Sequence, residues 1–84
     1  MNWYIYILEC SDGTFYTGIT NNIEKRLKTH REGKGAKYTR TRLPLTLLCF
    51  TTVKTKSEAL KYEYKIKQLP KNKKVEFLNN IKGE

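Results

Sequence analysis

The chain has 84 residues, which is enough for one domain with a modest hydrophobic core. It carries 17 Lys and Arg residues against 8 Asp and Glu residues, a formal net charge of +9 at pH 7. A positive surplus of this size indicates an anionic partner, with nucleic acid the first candidate and an anionic membrane surface the second. Asp12 is the sole aspartate, which excludes a metal cluster built on several aspartates.

The cysteines and the apolar runs bear on the location of the protein. Cys10 and Cys49 have no CxxC spacing, so we expect two buried reduced thiols rather than a disulfide or a zinc site. No apolar run reaches the ~20 residues of a membrane span. The N-terminal apolar run is too short and too rich in tyrosine for a signal peptide. The sequence therefore predicts a soluble, cytoplasmic protein with a single domain over residues 1–84.

The first twenty residues predict a β-hairpin. Residues 2–10 are rich in aromatic and β-branched residues and carry apolar side chains on both faces, which is typical of a central strand. The tripeptide at 11–13, Ser-Asp-Gly, predicts a tight turn, and residues 14–19 predict the second strand.

A helix and a basic loop should follow the hairpin. Glu24 lies three residues after Asn21, the spacing of a capping box, ahead of a helix over residues 23–31 that ends before Gly33. Residues 34–42 (KGAKYTRTR) are neither periodic nor apolar, so they are predicted to form a basic loop.

The second half predicts one strand and two helices. Residues 45–53 should form the third strand, and a Thr-x-x-Glu capping box at 55–58 starts a helix that runs to Leu69. A last amphipathic helix is predicted over residues 72–82, before Gly83. The fold class is thus an α/β (α+β) sandwich: a small, three-stranded, mostly antiparallel sheet flanked by helices, in the order ββαβα plus a C-terminal helix.

Five residues stand out by their positions. Tyr6 and Tyr16 lie on the two strands of the hairpin, where side chains on one face come side by side. Arg26 and His30 are four residues apart, so they share one helical face and should border the core. Glu63 falls at the border of an apolar helical arc, where a carboxylate is unfavourable unless it is paired or binds a cation.

Taken singly, each of these residues has a structural explanation. The tyrosines suit a strand, Arg26 can be a solvated helix charge, and His30 can be a histidine at the edge of the core. Glu63 can pair with Lys67 at the favourable i,i+4 spacing.

Taken together, their spacing resembles a known family. The string YIY at 4–6 is followed ten residues on by YTG at 16–18, and this pair resembles the two motifs of the GIY-YIG nuclease superfamily. Arg26 and His30 match the arginine and the frequent histidine of its helix, and Glu63, in EALKYEYKIK, matches its metal-binding glutamate. The resemblance spans nearly the whole chain and is closest to short, single-domain bacterial members of the UPF0213 type, with the pattern WYxYIL…YTGIT…RL…H…GKGAKYTR.

The resemblance implies hydrolysis of phosphodiester bonds with one divalent ion, Mg²⁺ or Mn²⁺, bound by Glu63. Mg²⁺ can be held by one carboxylate together with waters and substrate oxygens. The resemblance also implies that Arg26 contacts the phosphate and that Tyr16, supported by Tyr6, is the general base on water. His30 would relay a proton or hydrogen-bond the phosphate. Because a free tyrosine has a pKa near 10, this role of Tyr16 predicts activity that rises towards alkaline pH.

The basic segment supplies the expected nucleic-acid surface. An aromatic ring among cations can stack on a base and follow a phosphate backbone without reading sequence. We therefore expect DNA, in preference to RNA, in single-stranded or branched form and with little sequence specificity, and no obligate protein partner. Repair, recombination and the handling of foreign DNA are all compatible roles. The residues expected to bind nucleic acid are Lys25, Lys34, Lys37, Tyr38, Arg40 and Arg42.

Two other functions compete with the nuclease. One is a non-catalytic nucleic-acid-binding module of the same fold. Larger family members carry a further asparagine after the glutamate helix, whereas Asn72, Asn79 and Asn80 match no motif. The other is an adaptor that docks its basic face on an acidic protein or on ribosomal RNA, which leaves Glu63 unexplained.

Overall fold

The computed structural model describes residues 2–82, and the predicted helix stop at Gly83 lies outside these residues. The predicted order of elements is confirmed, and the bounds agree with those expected to within about two residues. One short helix, α2, is additional. The elements are β1 (Trp3–Glu9), β2 (Phe15–Thr20), α1 (Ile23–Arg31), α2 (Lys37–Arg40), β3 (Thr46–Val53), α3 (Lys56–Lys67) and α4 (Lys71–Lys82).

The three strands form one antiparallel sheet in the order β2-β1-β3, so β1 is central, as its apolar residues on both faces predicted. Its side chains alternate between the two faces. Ile5 and Ile7 point to one face and Tyr6 and Leu8 to the other, and all four are buried.

Helices cover both faces of the sheet. On the first, which we call the α3 face, Ile5 and Ile7 pack against Ala59 and Ile66 of α3 and Leu78 of α4. On the second, the α1 face, the cluster around Tyr6 and Leu8 includes Ile23 and Leu27 of α1. The sheet is therefore the middle layer of the molecule. Among residues 2–82, the helices are all too short or too polar to cross a membrane.

The prediction of a loop over 34–42 is wrong for residues 37–40, which form the single turn of α2. The backbone amides of Thr39 and Arg40 both donate to the carbonyl oxygen of Ala36. Thr39 is fully buried, and its hydroxyl bonds both to Ala36 and to His30. Tertiary contacts of one threonine thus stabilise a turn that the apolar pattern does not predict.

The hairpin turn is tied to the segment after α2. Gly13 has φ +82°, which favours glycine, and Asp12 accepts hydrogen bonds from the amide and the hydroxyl of Thr14. Asp12 also pairs with the guanidinium of Arg42 at 3.0 Å, and the amide of Ser11 donates to the carbonyl of Arg42. Two distant segments of the chain are thereby joined at one end of the sheet.

The N-cap of α1 differs from the prediction. Asn22, not Asn21, has the extended backbone of a cap, and its side-chain oxygen accepts from the amide of Lys25 at 3.1 Å. The predicted box between Asn21 and Glu24 is therefore wrong by one residue. The capping threonine of α3 is confirmed, since the hydroxyl of Thr55 accepts from the amide of Glu58.

We expect Asn22→Ala to lower the free energy of unfolding by about 1 kcal/mol, because an orphan amide of the first helical turn loses its partner. Asn21→Ala is the matched control and should leave stability within about 0.5 kcal/mol. Urea denaturation followed by circular dichroism measures both. Equal losses for the two variants would contradict the assignment of the cap to Asn22.

Candidate active site

The register of the hairpin brings two tyrosines together on the α1 face. Tyr6 lies opposite Gly18 and Leu8 lies opposite Tyr16, so the two phenol rings are diagonal neighbours with centroids 6.4 Å apart. A Cβ atom at position 18 would lie 2.5 Å from the hydroxyl oxygen of Tyr6. Glycine at this position therefore leaves the space that the phenol occupies.

A buried chain of hydrogen bonds runs from Tyr6 into the segment before α2. The hydroxyl of Tyr6 lies 2.9 Å from Nε2 of His30, and Nδ1 of His30 lies 3.0 Å from the hydroxyl oxygen of Thr39. The Thr39 hydroxyl donates to the carbonyl of Ala36, so its oxygen accepts from Nδ1–H. Nε2 then carries no proton and accepts from Tyr6. The network thus assigns a single neutral tautomer to His30.

At pH 7 the positive charge of this site lies on Arg26, and His30 is neutral. Burial, and then the nearby Arg26 guanidinium, lower the pKa of His30 from 6.5 to about 4, so the imidazole is neutral at pH 7. Burial also raises the pKa of Tyr6, although hydrogen bonding to Arg26 opposes the shift. The same hydrogen bond raises the pKa of Arg26, and the neighbouring Tyr16 adds to this effect.

Sequence reasoning expected His30 to border the core, and this is wrong, because the imidazole is fully buried. The burial is tolerated since both ring nitrogens have partners. It also requires Gly35, where a Cβ atom would collide with the imidazole ring. Sequence reasoning missed Thr39 and Gly35 as parts of the site. Both residues belong to the string GKGAKYTR, which could have indicated them but was interpreted only as part of the family resemblance and of the basic surface.

The position of Glu63 relative to the tyrosines follows from its effect on Tyr6 and from its partner Lys67. Its helix, α3, packs on the face opposite to the phenols, yet the Glu63 carboxylate raises the pKa of Tyr6, as the smallest influence after burial, Arg26 and Tyr16. The carboxylate lies 3.5 Å from Nζ of Lys67, with 19% of the side chain exposed. Lys67 in turn lines a cavity with Tyr16 and Thr17 of the edge strand β2. The Glu63–Lys67 pair is thus both the simple ion pair considered from the sequence and a neighbour of the phenols.

The residues present fit one divalent ion rather than a cluster. Across residues 2–82, the side chains of His, Cys, Asp and Glu form no group of three that could hold a metal. A single carboxylate suits Mg²⁺ or Mn²⁺, which retain waters and take up phosphate oxygens. The ion pair between Glu63 and Lys67 opposes metal binding by Glu63 only weakly, because an ion pair with one exposed partner contributes little free energy.

The predicted nucleic-acid residues divide into two groups. Tyr38 stacks on Tyr16, with centroids 6.3 Å apart and planes at 25°, and the guanidinium carbon of Arg42 lies 3.9 Å from the centre of the Tyr38 ring. Arg42 also bonds to Asp12 and to the carbonyl of Tyr38, so it is committed to contacts inside the protein. The other predicted cations are all exposed: Lys25, Lys34, Lys37 and Arg40.

We expect the stability of the protein to fall between pH 6.5 and pH 4 because of His30, the sole histidine. The unfolded chain binds a proton near pH 6.5, whereas the folded chain resists it down to about pH 4. Stability from this group is therefore complete above pH 6.5 and is lost as the pH falls towards 4, by roughly 3 kcal/mol at most.

His30→Gln removes this titration while keeping a side chain that can donate and accept hydrogen bonds. Its free energy of unfolding, measured in urea from pH 7 to pH 4, should fall less steeply than that of the wild type. The carboxylates titrate in both proteins and cancel in the comparison. Parallel curves for the two proteins would contradict a buried neutral His30.

Comparisons with known proteins identify the family of the chain. The family model described as the GIY-YIG catalytic domain matches residues 2–76. A UPF0213 protein of Halalkalibacterium halodurans is 49% identical over 99% of this chain and 87% of its own length, and a UPF0213 protein of Bacillus licheniformis is 51% identical over 96% and 84%.

Two solved structures are also similar. The solution NMR structure of a UPF0213 protein from Bacillus halodurans has a TM-score of 0.59 and 46% identity, covering 99% of this chain and 88% of the other. That of a protein from E. faecalis has a TM-score of 0.68 and 38% identity, covering 100% and 90%. Because the family model matches most of the length of this chain, the chain belongs to the GIY-YIG family of nuclease domains.

Proposed function

We propose that the protein is a metal-dependent endonuclease that hydrolyses phosphodiester bonds of DNA, in single-stranded or branched form and with little sequence preference. The observation that carries this proposal is the meeting of Tyr6, Tyr16, Arg26 and the buried His30, with the Glu63 carboxylate at the edge of the same site. The formal charge of +9 supports an anionic polymer as the substrate. We further propose that residues 1–84 act as one domain in the cytoplasm, without an obligate protein partner.

Tyr16 is the general base in this proposal, because Tyr6 is a poor one. Tyr6 is fully buried, and its hydroxyl donates to His30. The pKa of His30, lowered by burial to about 4, and the pKa of Tyr6, raised by burial, both oppose transfer of the proton from the phenol to the imidazole. The Tyr6–His30 pair therefore stays neutral and acts as a rigid support.

Tyr16 is half-buried and remains within reach of a substrate. In its phenolate form, the Tyr16 oxygen takes the proton from the attacking water as the water oxygen bonds to phosphorus and the leaving oxygen departs. The Arg26 guanidinium, which interacts with Tyr16, contacts this oxygen. The planar fork of Arg26 also suits two oxygens of the scissile phosphate. Arg26 thus favours negative charge on both the base and the phosphate.

Glu63 is the proposed ligand of the divalent ion, Mg²⁺ or Mn²⁺. When bound, the ion supplies charge stabilisation for the phosphate and the leaving oxygen. The chain holds this carboxylate 3.5 Å from Lys67, which lines the same cavity as Tyr16.

The exposed cations around the site hold the substrate in this proposal. Lys25, Lys34, Lys37 and Arg40 contact phosphates, and the ring of Tyr38, 38% exposed, contacts a base. Arg42 keeps Tyr38 in place through its stacking contact and its bond to the Tyr38 carbonyl. Contacts of this kind recognise unpaired strands without reading their sequence.

We expect Tyr16→Phe and Glu63→Gln each to lower the rate of DNA cleavage in Mg²⁺ by about a hundredfold or more, the scale of losing a general base or a charge-stabilising group. The measurement is single-turnover cleavage of single-stranded and branched oligonucleotides, with a chelator as the zero-rate reference. Cleavage by wild type that both variants retain would contradict the assigned roles.

Matched controls exist for both changes. Tyr62→Phe removes a hydroxyl from a tyrosine that packs on Phe77, away from the site. Glu76→Gln removes the carboxylate of another helical ion pair, with Lys73 at 3.8 Å. Both controls should keep the wild-type rate. Salt-sensitive binding without cleavage by any of these proteins would favour the non-catalytic module.

The rate should also rise with pH if Tyr16 is the base. The phenolate fraction of an ordinary tyrosine grows about tenfold for each pH unit between pH 7 and pH 9. Cleavage by wild type in this range should follow that slope, measured as single-turnover rates at saturating protein. A flat profile, or an equal slope in the Tyr16→Phe variant, would exclude this role.

A further inference from the structure

A groove lined by lysines leaves the candidate site along the edge of β2. It comprises two open surface cavities, of about 300 Å³ and about 490 Å³, which share Phe15 in their linings. The second cavity is also lined by Lys71. We call this the lysine groove. The first cavity is lined by Phe15, Tyr16, Thr17, Tyr38, Lys67 and Lys74.

Three lysines of the groove come from the junction of α3 and α4, at positions 67, 71 and 74. Lys71 donates to the carbonyl of Gly13 and lies 4.7 Å from the centre of the Phe15 ring. Lys74 donates to the carbonyl of Ile66 at 2.8 Å. Each ammonium group has three donors, so a bond to one carbonyl positions it and leaves two donors for an anion.

The positive charge of the groove is only partly compensated. Lys67 pairs with Glu63, whereas the acceptors of Lys71 and Lys74 are backbone carbonyls without formal charge. The pKa of Lys74 is lowered by burial and by the nearby ammonium of Lys67. Like charges held this close favour an anion between them.

The other walls are aromatic. Tyr16 and Tyr38 both line the first cavity, and their stacked rings are 6.3 Å apart. Aromatic walls beside fixed ammonium groups form the combination that binds unpaired nucleotides, with bases against rings and phosphates on cations. An anionic membrane surface presents no bases that could stack on these aromatic rings.

We propose that the lysine groove binds the unpaired DNA strand next to the scissile phosphate, with a base against Tyr38 and the following phosphates on Lys71 and Lys74. The identity of the ligand rests on the proposed nuclease function. Tyr16 belongs to both sites, so the groove fixes the direction in which the strand leaves the site.

The first test compares two double variants of equal charge. Lys71→Gln with Lys74→Gln changes the groove, whereas Lys61→Gln with Lys65→Gln changes exposed lysines that line a different cavity. Binding of fluorescein-labelled oligothymidine is measured by anisotropy in chelator over a range of salt concentrations, with folding checked by circular dichroism.

The groove variant should bind roughly tenfold more weakly than the control, and its slope of log affinity against log salt should fall by about 1.4, the value for two single-strand phosphate contacts. Equal affinities and slopes in the two double variants would overturn the proposal. Because the assay contains no divalent ion, a failure to cleave DNA leaves this result intact, and equal binding leaves the proposed nuclease activity intact.

The second test asks whether a nucleobase stacks on the ring of Tyr38. An oligonucleotide with one 2-aminopurine reports stacking as a change in its fluorescence. Tyr38→Leu should lose most of this change and bind about fivefold more weakly or worse, the scale of one lost base–ring contact. Tyr64→Leu, at a tyrosine that is 69% exposed on α3, is the control and should behave as wild type. An unchanged signal in Tyr38→Leu would overturn the stacking contact.

Discussion

The candidate site depends on one chain of hydrogen bonds, from the hydroxyl of Tyr6 through the imidazole of His30 to Thr39 and the carbonyl of Ala36. It joins β1, α1 and the segment that forms α2. Its three side chains are fully buried, where an unpaired polar group is strongly destabilising. Among the described residues, every buried polar side-chain atom has a partner, so the chain is complete rather than partly satisfied.

The chain of hydrogen bonds leaves space only for glycine at two neighbouring positions. Gly18 lies against the Tyr6 hydroxyl, and Gly35 lies against the His30 ring, so a side chain at either position would push the network apart. The hydrogen bonds that hold Thr39 in place also restrain the backbone at its neighbour Tyr38, whose ring stacks on Tyr16. In this way a buried neutral network positions an exposed aromatic surface without placing a charge in the core.

Sequence patterns predicted the parts of the fold that depend on local periodicity. The two apolar faces of residues 3–9 indicated the central strand, and the ten-residue spacing of Tyr6 and Tyr16 fits their diagonal pairing in the hairpin. Features that depend on contacts between distant segments were missed. The turn of α2 requires the bonds of Thr39, and the burial of His30 requires the space at Gly35. Neither requirement leaves a periodic trace in the sequence.

The surroundings of the charged residues also depend on contacts between distant segments, which the sequence patterns do not predict. A basic segment predicts a cationic surface, but it cannot distinguish Arg42, which is committed to Asp12, from exposed neighbours such as Lys37. Nor does it predict that Lys74, more than fifty residues after Tyr16 in the chain, lines the same cavity as Tyr16, or that Lys71 lines the cavity next to it. Only the packing of α3 and α4 on the sheet brings those two lysines there.

The two faces of the sheet have different tasks, and this explains how so small a chain can hold a polar site. On the α3 face, Ile5 and Ile7 pack into an apolar cluster that supplies stability through burial of apolar surface. On the α1 face, the same strand contributes Tyr6 to a hydrogen-bonded network that contains no formal charge. The charged groups, Arg26 and Glu63, lie at the margins, where water still solvates them in part. The proposed reaction would therefore take place at the border between a buried neutral network and a cationic surface, and the central strand connects the two.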